Sequence, residues 1–257
     1  MSHWNAAQYL KFQKERTQPA IDLAARIPLD KPAKILDIGC GPGNSTEVLQ
    51  RRFPDSFILG IDSSAEMMET AKKEHPNLAF QQCDITCQLD QLSEDFDLAF
   101  SNACLQWVPH HPLLLPRLLK LLVPGGILAV QIPMNQKEPI HRILEDLAFE
   151  PEWKEKGLSS RLFYTLSQEE YFDLLSNQNA FLAMWQTTYI HVLDSHEDIL
   201  EWYRGTGLRP YLNALSLQEQ PAFLAQVMER VQQAYPLQAN GQILFPFPRF
   251  FFMAKKN

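Results

Sequence analysis

The chain has 257 residues, of which 46% are apolar and 21% charged, a balance that allows a sizeable buried core. Its formal net charge is −7 and no basic run is longer than the pair Lys255–Lys256, which argues against a nucleic-acid partner. No apolar run approaches the roughly 20 residues of a membrane span, so no membrane partner is expected. The polar stretch Met1–Leu10 lacks the apolar segment of a secretory signal, and we therefore expect a cytoplasmic protein.

Apolar runs and helical patterns alternate in the first half of the chain. Residues 7–27 predict an amphipathic helix, and helical patterns also follow the first, second and fourth strand candidates. The predicted strands are Lys34–Asp37, Phe57–Ile61, Leu78–Gln82, Phe96–Ser101 and Gly126–Ile132. Because the strands alternate with helices and are almost continuously apolar, they predict a parallel sheet covered by helices on both faces.

The second half of the chain has a different pattern. It predicts helices at Pro139–Phe149 and Ser167–Leu175, a sixth strand at Trp185–Leu193, a long helical region at 195–236 and a seventh strand at Phe245–Ala254. Pro248 cannot donate to a ladder, so the last strand should begin at an edge or a bulge.

We therefore predict one α/β domain with a doubly wound, mostly parallel seven-stranded sheet. It comprises an N-terminal helical lid (1–30), a ligand-binding core (31–194), a helical cap (195–244) and the last strand (245–257).

Glycines and carboxylates follow successive predicted strands. Gly39, Gly41 and Gly43 come after the first strand, and glycines at alternate positions let the backbone turn sharply and approach a ligand. Asp62 follows the second strand, where a carboxylate can accept hydrogen bonds from ribose hydroxyls. Asp84 follows the third and can accept from an exocyclic amine such as that of adenine. The carboxyl ends of parallel strands share one edge of the sheet, so the three groups predict one adenosyl site.

A dinucleotide site would share part of this pattern, but its fingerprint is missing. The third glycine of Gly-x-Gly-x-x-Gly is replaced by Asn44 or Thr46, depending on the register. Asp37, two residues before the first glycine, would repel a pyrophosphate but suits an ammonium group. These residues together predict S-adenosylmethionine as the cofactor.

The motifs resemble those of a known superfamily. Ile35–Gly43 is similar to motif I of the class I S-adenosylmethionine methyltransferases. Their later strand motifs are similar to Gly60–Asp62, Gln82–Ile85, Phe96–Leu98 with Ser101–Asn102, and Leu122–Gly126. The spacing and this resemblance together imply these cofactor-binding residues: Asp37, Gly39, Cys40, Gly41, Gly43, Asp62, Ser63, Met67, Asp84, Ile85 and Asn102.

A closer resemblance extends over nearly the whole chain and thins between residues 150 and 180. The matching segments resemble the bacterial trans-aconitate 2-methyltransferases: Trp4–Asn5, Gly43–Thr46, Asn102–Trp107, Thr206–Pro210, Asn240–Leu244 and Phe247–Arg249. That family esterifies one carboxylate of trans-aconitate with the methyl group of S-adenosylmethionine. The resemblance implies the same reaction on trans-aconitate or a related small polycarboxylate. We expect a monomer or weak homodimer.

A carboxylate acceptor determines which side chains to expect around it. Since carboxylates are ionised at neutral pH, we expect no general base, only positioning, with Gln106 and Trp107 nearest the acceptor. Arginines should hold the substrate, although each could instead be an ordinary surface residue. The substrate-binding candidates are Arg209, Arg249 and Arg16, with the aromatic residues Trp4, Tyr9, Trp107 and Trp202, for which core packing is the alternative. Cys83 with Cys87 and His110 with His111 lack further ligands, so no metal site is expected.

Two alternatives remain open on the sequence. The first is a methyltransferase with another acceptor, such as a malonyl-carrier-protein carboxylate or another small molecule. The second is a non-catalytic S-adenosylmethionine-binding protein, because a glycine loop indicates binding and not turnover.

Overall fold

The computed structural model describes residues 13–158, 163–177, 181–204 and 206–257. Strands alternate with helices as predicted. The strands are β1 (Lys34–Ile38), β2 (Phe57–Asp62), β3 (Ala79–Gln82), β4 (Phe96–Asn102), β5 (Leu122–Pro133), β6 (Phe181–Leu193) and β7 (Ile243–Lys255). The helices are α1 (Gln13–Arg26), α2 (Asn44–Arg52), α3 (Ala65–Glu74), α4 (His111–Lys120), α5 (Pro139–Ala148), α6 (Gln168–Ser176), α7 (His196–Arg204), α8 (Arg209–Ala214) and α9 (Gln220–Ala234).

The strands of the described residues form one seven-stranded sheet in the order β3-β2-β1-β4-β5-β7-β6. Strands β1 to β5 pair in parallel, and β7 pairs antiparallel with β5. This confirms the predicted doubly wound α/β fold. The strand order reverses between β1 and β4, which places the ligand-binding position of such sheets at their carboxyl ends.

Two predicted elements differ in detail from the structure. Strand β7 lies between β5 and β6, so the last strand is not an edge strand along its whole length. Its prolines are tolerated because the ladder with β5 begins only at Arg249, after Pro248. The helical region at 195–236 is divided into α7, α8 and α9, and Pro210 in the first turn of α8 starts a new helix there.

The chain divides into two compact units, with boundaries that differ from the predicted lid, core and cap. The core unit holds residues 16–133, 163–187 and 249–257. The insert unit holds the described parts of 1–15, 134–162 and 188–248. Helix α5 belongs to the insert unit because Ile140, Leu144 and Leu147 are buried in an apolar cluster with residues of α9.

The part of α1 from Arg16 onward belongs to the core unit. It buries Leu23 and Ala24 there. None of the described helices is both long and apolar enough to cross a membrane.

Candidate active site

The tips of three neighbouring strands bring the predicted acids to one edge of the sheet. Ile38 pairs in register with Ile61, and Asp62 pairs with Gln82. Asp84 lies two residues beyond Gln82, and the chain between them is held by the Cys83 N–H donating to the Asp62 carbonyl at 2.9 Å. The arrangement agrees with one ligand that contacts successive strand ends.

Asp37 is completely buried beneath the glycine turn. The hydroxyls of Ser45 and Thr46 donate to its Oδ2 at 2.7 and 2.6 Å. Its Oδ1 has no hydrogen-bond partner among the described residues. Burial raises the pKa of Asp37 from 3.8 to about 6, and the nearby charge of Asp62 adds to the effect. A cation bound next to Asp37 would satisfy Oδ1 and favour the ionised form.

The glycine turn needs glycine at all three positions, for two different reasons. Gly39, Gly41 and Gly43 have φ angles of 69°, 55° and 98°, which residues with a Cβ rarely adopt. A Cβ at Gly39 would also lie 2.2 Å from the Sγ of Cys104. At Gly41, in contrast, a Cβ would meet no heavy atom within 4 Å. The turn is therefore tightly packed on one side and open at Gly41, where a ligand can approach the backbone.

Asp62 joins the glycine turn to the start of α3. Its Oδ2 accepts from the Gly41 N–H at 3.1 Å and its Oδ1 from the Ser64 N–H at 2.9 Å. Each carboxylate oxygen can accept a second hydrogen bond, so the pair retains the capacity to bind two hydroxyls. Asp84 accepts through Oδ1 from the backbone N–H and the hydroxyl of Thr86, at 2.9 and 2.7 Å.

These residues fit S-adenosylmethionine. The unpartnered Oδ1 of Asp37 suits an ammonium group, directly or through water, and the open backbone at Gly41 leaves room for the ligand. Asp62 offers acceptors for ribose hydroxyls on the neighbouring strand.

The remaining predicted cofactor residues lie in different environments. Cys40 is buried in a cluster with Met68 and Phe80, against which Met67 packs, so its side chain has a packing role. Burial raises the pKa of the Cys40 thiol well above its usual range. Ile85 is buried and Ser63 is exposed. Asn102 ends β4, and its buried Oδ1 has no hydrogen-bond partner among the described residues.

The segment after β4 holds the residues predicted nearest the acceptor. Gln106 is buried and donates from Nε2 to the Ala103 carbonyl at 2.7 Å. Ala103 has a φ of 53°, a strained value for a residue with a Cβ. The ring of Trp107 stacks on that of Phe163 with centroids 4.9 Å apart. Both predicted residues thus lie on a constrained turn at the tip of β4.

Arg249 lies in the core unit and Arg209 in the insert unit. Arg249 is only 4% exposed and donates from Nη1 to the Oε1 of Gln131 at 3.3 Å. Arg209 is the first residue of α8. Arg16 lies on α1, at the start of the first segment of the core unit.

The other predicted aromatic residues differ in whether and where the structure places them. Trp202 is 4% exposed within the apolar cluster of the insert unit, with its ring centroid 4.6 Å from that of His191. Trp202 therefore contributes to packing, and its place in a wall of the site stays a prediction. Trp4 and Tyr9 lie outside the described residues.

Ser45 and Thr46, which hold Asp37, were not among the predicted site residues. Two hydroxyl residues shortly after the glycine turn were the available signal, because they lie in the first turn of the helix that begins at Asn44. Among the described residues, no three His, Cys, Asp or Glu side chains are grouped so as to hold a metal ion.

The sheet order and the strand-tip site define a class I methyltransferase. A family model described as a methyltransferase domain matches residues 35–126. Relatives named trans-aconitate 2-methyltransferase match over the full length. The protein from Methylobacterium nodulans is 47% identical, covering 100% of this chain and 99% of the relative. That from Azoarcus sp. is 45% identical, covering 99% of each, and that from Escherichia coli is 43% identical, covering 100% and 99%. The chain therefore belongs to the trans-aconitate 2-methyltransferase family.

Solved structures show the same fold at low sequence identity. The YcgJ protein of Bacillus subtilis is similar with a TM-score of 0.62 and 15% identity, covering 93% of this chain and 99% of that one. Geranyl diphosphate C-methyltransferase of Streptomyces coelicolor, solved with S-adenosyl-L-homocysteine, has a TM-score of 0.55 and 14% identity, covering 97% and 84%.

Proposed function

We propose that the protein transfers the methyl group of S-adenosylmethionine to a carboxylate of trans-aconitate and so forms a methyl ester. The observation that carries this proposal is the full-length identity of 43–47% to relatives of that name. The geometry supports it, because the buried acid at Asp37 and the open backbone at Gly41 fit the cofactor.

The proposed reaction needs positioning rather than proton transfer. When bound, S-adenosylmethionine supplies an electrophilic methyl group, which the acceptor carboxylate takes while the sulfur keeps the bonding electron pair. The acceptor is already ionised at neutral pH, so no residue of the chain has to remove a proton. The contribution of the protein is to hold the two ligands in line and exclude water, and such positioning can be worth about 7–11 kcal/mol.

The chain's residues have separate roles in this proposal. Asp37 and the glycine turn hold the amino-acid end of the cofactor, and Asp62 holds its ribose. Gln106 and Trp107 line the acceptor side of the β4 tip, and Arg249 is the cation of the core unit for the substrate. The acidic chain contains few clustered cations, which favours a small anion bound by individual arginines over an acidic carrier protein. We place the enzyme in the cytoplasm, as a monomer or weak homodimer.

The experiment is a methyl-transfer assay with cofactor labelled in the methyl group. With trans-aconitate, we expect label in a product from which alkali releases methanol, as an ester requires. Parallel reactions contain citrate, cis-aconitate or a malonyl-carrier protein, and binding of S-adenosylhomocysteine is measured calorimetrically. Tight cofactor binding without label transfer to any polycarboxylate would refute the proposal and favour a binding protein. Transfer to the carrier protein alone would assign a different acceptor.

A further inference from the structure

A row of polar side chains crosses four neighbouring strands of the core unit. The register pairs Asn102 of β4 with Gln131 of β5, and Gln131 with Phe251 of β7. Asp37 of β1 pairs with Phe100, two residues before Asn102. Paired residues share a face of a sheet, as do residues two apart on one strand. The row therefore comprises Asp37, Asn102, Gln131 and Arg249.

Gln131 is the member of this row that the sequence did not single out. It is completely buried, and its Oε1 accepts from Nη1 of Arg249 at 3.3 Å. A guanidinium group can only donate, so this contact requires the amide oxygen to face Arg249 and directs the NH₂ group elsewhere. The Nε2 atom has no hydrogen-bond partner among the described residues. A buried amide donor without a hydrogen-bond partner is rare and indicates that a ligand or another group is its partner.

The row changes from acceptors to donors along its length. At the β1 and β4 end, the Oδ1 atoms of Asp37 and Asn102 have no hydrogen-bond partner among the described residues. At the β5 and β7 end stand the Nε2 donor of Gln131 and the cation of Arg249. A positively charged ligand suits the first end and an anion the second. This is the order in which a cationic methyl donor and a carboxylate acceptor have to lie.

We propose that Gln131 binds the acceptor, donating from Nε2 to one of its carboxylate oxygens, with Arg249 fixing the orientation of the amide. This inference rests on the proposed function. The Gln131 donor then selects an ionised oxygen acceptor, and Arg249 supplies the favourable charge next to it.

The test compares substitutions at Gln131 by steady-state kinetics with trans-aconitate. Gln131→Met keeps the shape of the side chain and removes the donor, so we expect KM to rise about 10- to 100-fold, the usual range for a lost hydrogen bond to a charged group. Gln131→Glu places a negative charge beside the acceptor and beside Arg249, and KM should rise further. The affinity for S-adenosylhomocysteine should stay within about twofold of wild type, because the cofactor end of the row is unchanged.

Gln220→Met is the matched control, because the Nε2 of Gln220 donates to the backbone oxygen of Leu212 within the insert unit. It removes a glutamine donor without touching the row, and KM should not change. Gln131→Asn retains the amide but withdraws it by one methylene, and it gives the same KM test if Gln131→Met fails to fold.

The outcomes separate this inference from the proposed function. A wild-type protein that forms no ester refutes the proposed function and, with it, the role of Gln131. A wild-type protein that turns over while a folded Gln131 variant keeps its KM overturns the role of Gln131 alone. A raised KM together with an equal loss of cofactor affinity would also overturn it, because the residue would then act on the site as a whole.

Discussion

The buried Asp37 makes the affinity for the cofactor depend on pH. Its pKa is raised to about 6 by burial, and a bound ammonium group favours the ionised carboxylate. Protonation therefore competes with binding. With a pKa of about 6, the ionised fraction falls from about 0.9 at pH 7 to about 0.1 at pH 5, so the affinity should fall about tenfold.

Calorimetry with S-adenosylhomocysteine measures this dependence, because that ligand has the same ammonium group. Asp37→Asn should bind weakly and without the pH dependence between pH 5 and 7. His75→Gln changes another ionisable side chain beside the turn, where the ring lies against Gly43, and it should retain the dependence. An affinity that is constant across this range in wild type, or a dependence that persists in Asp37→Asn, would refute the assignment.

Asp37→Asn, which should weaken cofactor binding, should stabilise the ligand-free protein. The pKa of Asp37 in the folded protein exceeds its value of 3.8 by about 2, and one pH unit corresponds to about 1.4 kcal/mol. The folded state therefore binds the proton more tightly, and the resulting cost to stability is absent below about pH 4 and reaches about 3 kcal/mol above pH 6. Asp37→Asn removes that charge but weakens the bonds from Ser45 and Thr46, so we expect the ligand-free protein to gain about 1–2 kcal/mol at pH 7 in urea unfolding. A less stable variant would contradict the burial argument.

Three further predictions concern the turn, the acceptor and the insert unit. Gly39→Ala should destabilise the protein by more than 3 kcal/mol, because its Cβ would meet Cys104, whereas Gly41→Ala should cost only about 1 kcal/mol and mainly weaken cofactor binding. Thermal unfolding compares the two, and equal losses would contradict the packing difference. Arg209→Ala should raise the acceptor KM and spare cofactor affinity, and unchanged kinetics would remove it from the site. Tyr203→Phe should cost about 1–3 kcal/mol in urea unfolding, because its hydroxyl bonds two buried side chains, and a loss within error would refute that role.

The sequence predicts the core strands and the strand-tip acids because both depend on local pattern. Apolar runs separated by helical segments determine the parallel sheet, and the residue after each strand lies at its carboxyl edge. Asp37, Asp62 and Asp84 could therefore be assigned to one edge without a structure. The hydroxyls that hold Asp37 could have been added, since only Asn44 separates them from the glycine turn.

The division into units could not be read from the same pattern. Helix α5 follows β5 directly, yet it belongs with α9, about 80 residues further along the chain, because their apolar faces pack together. A helical periodicity shows that a helix has an apolar face but not which partner covers it. The same limit applies to Trp202, since an aromatic residue on an amphipathic helix suits a core and a binding site equally.

Gln131 was missed although it left a signal. It is the only side chain with a hydrogen-bonding group in the predicted strand Gly126–Ile132, which was expected to be buried on both faces. A polar residue in such a strand requires a partner, but only the register identifies Arg249 and Asn102 as its neighbours.

A crystal structure of the complex with S-adenosylhomocysteine and trans-aconitate tests the central claim most directly. We expect the ammonium group within hydrogen-bond or single-water reach of Asp37 Oδ1, the ribose hydroxyls on Asp62, and a carboxylate oxygen about 3 Å from Gln131 Nε2. A cofactor bound away from the glycine turn, or an acceptor without contact to the polar row, would contradict the account.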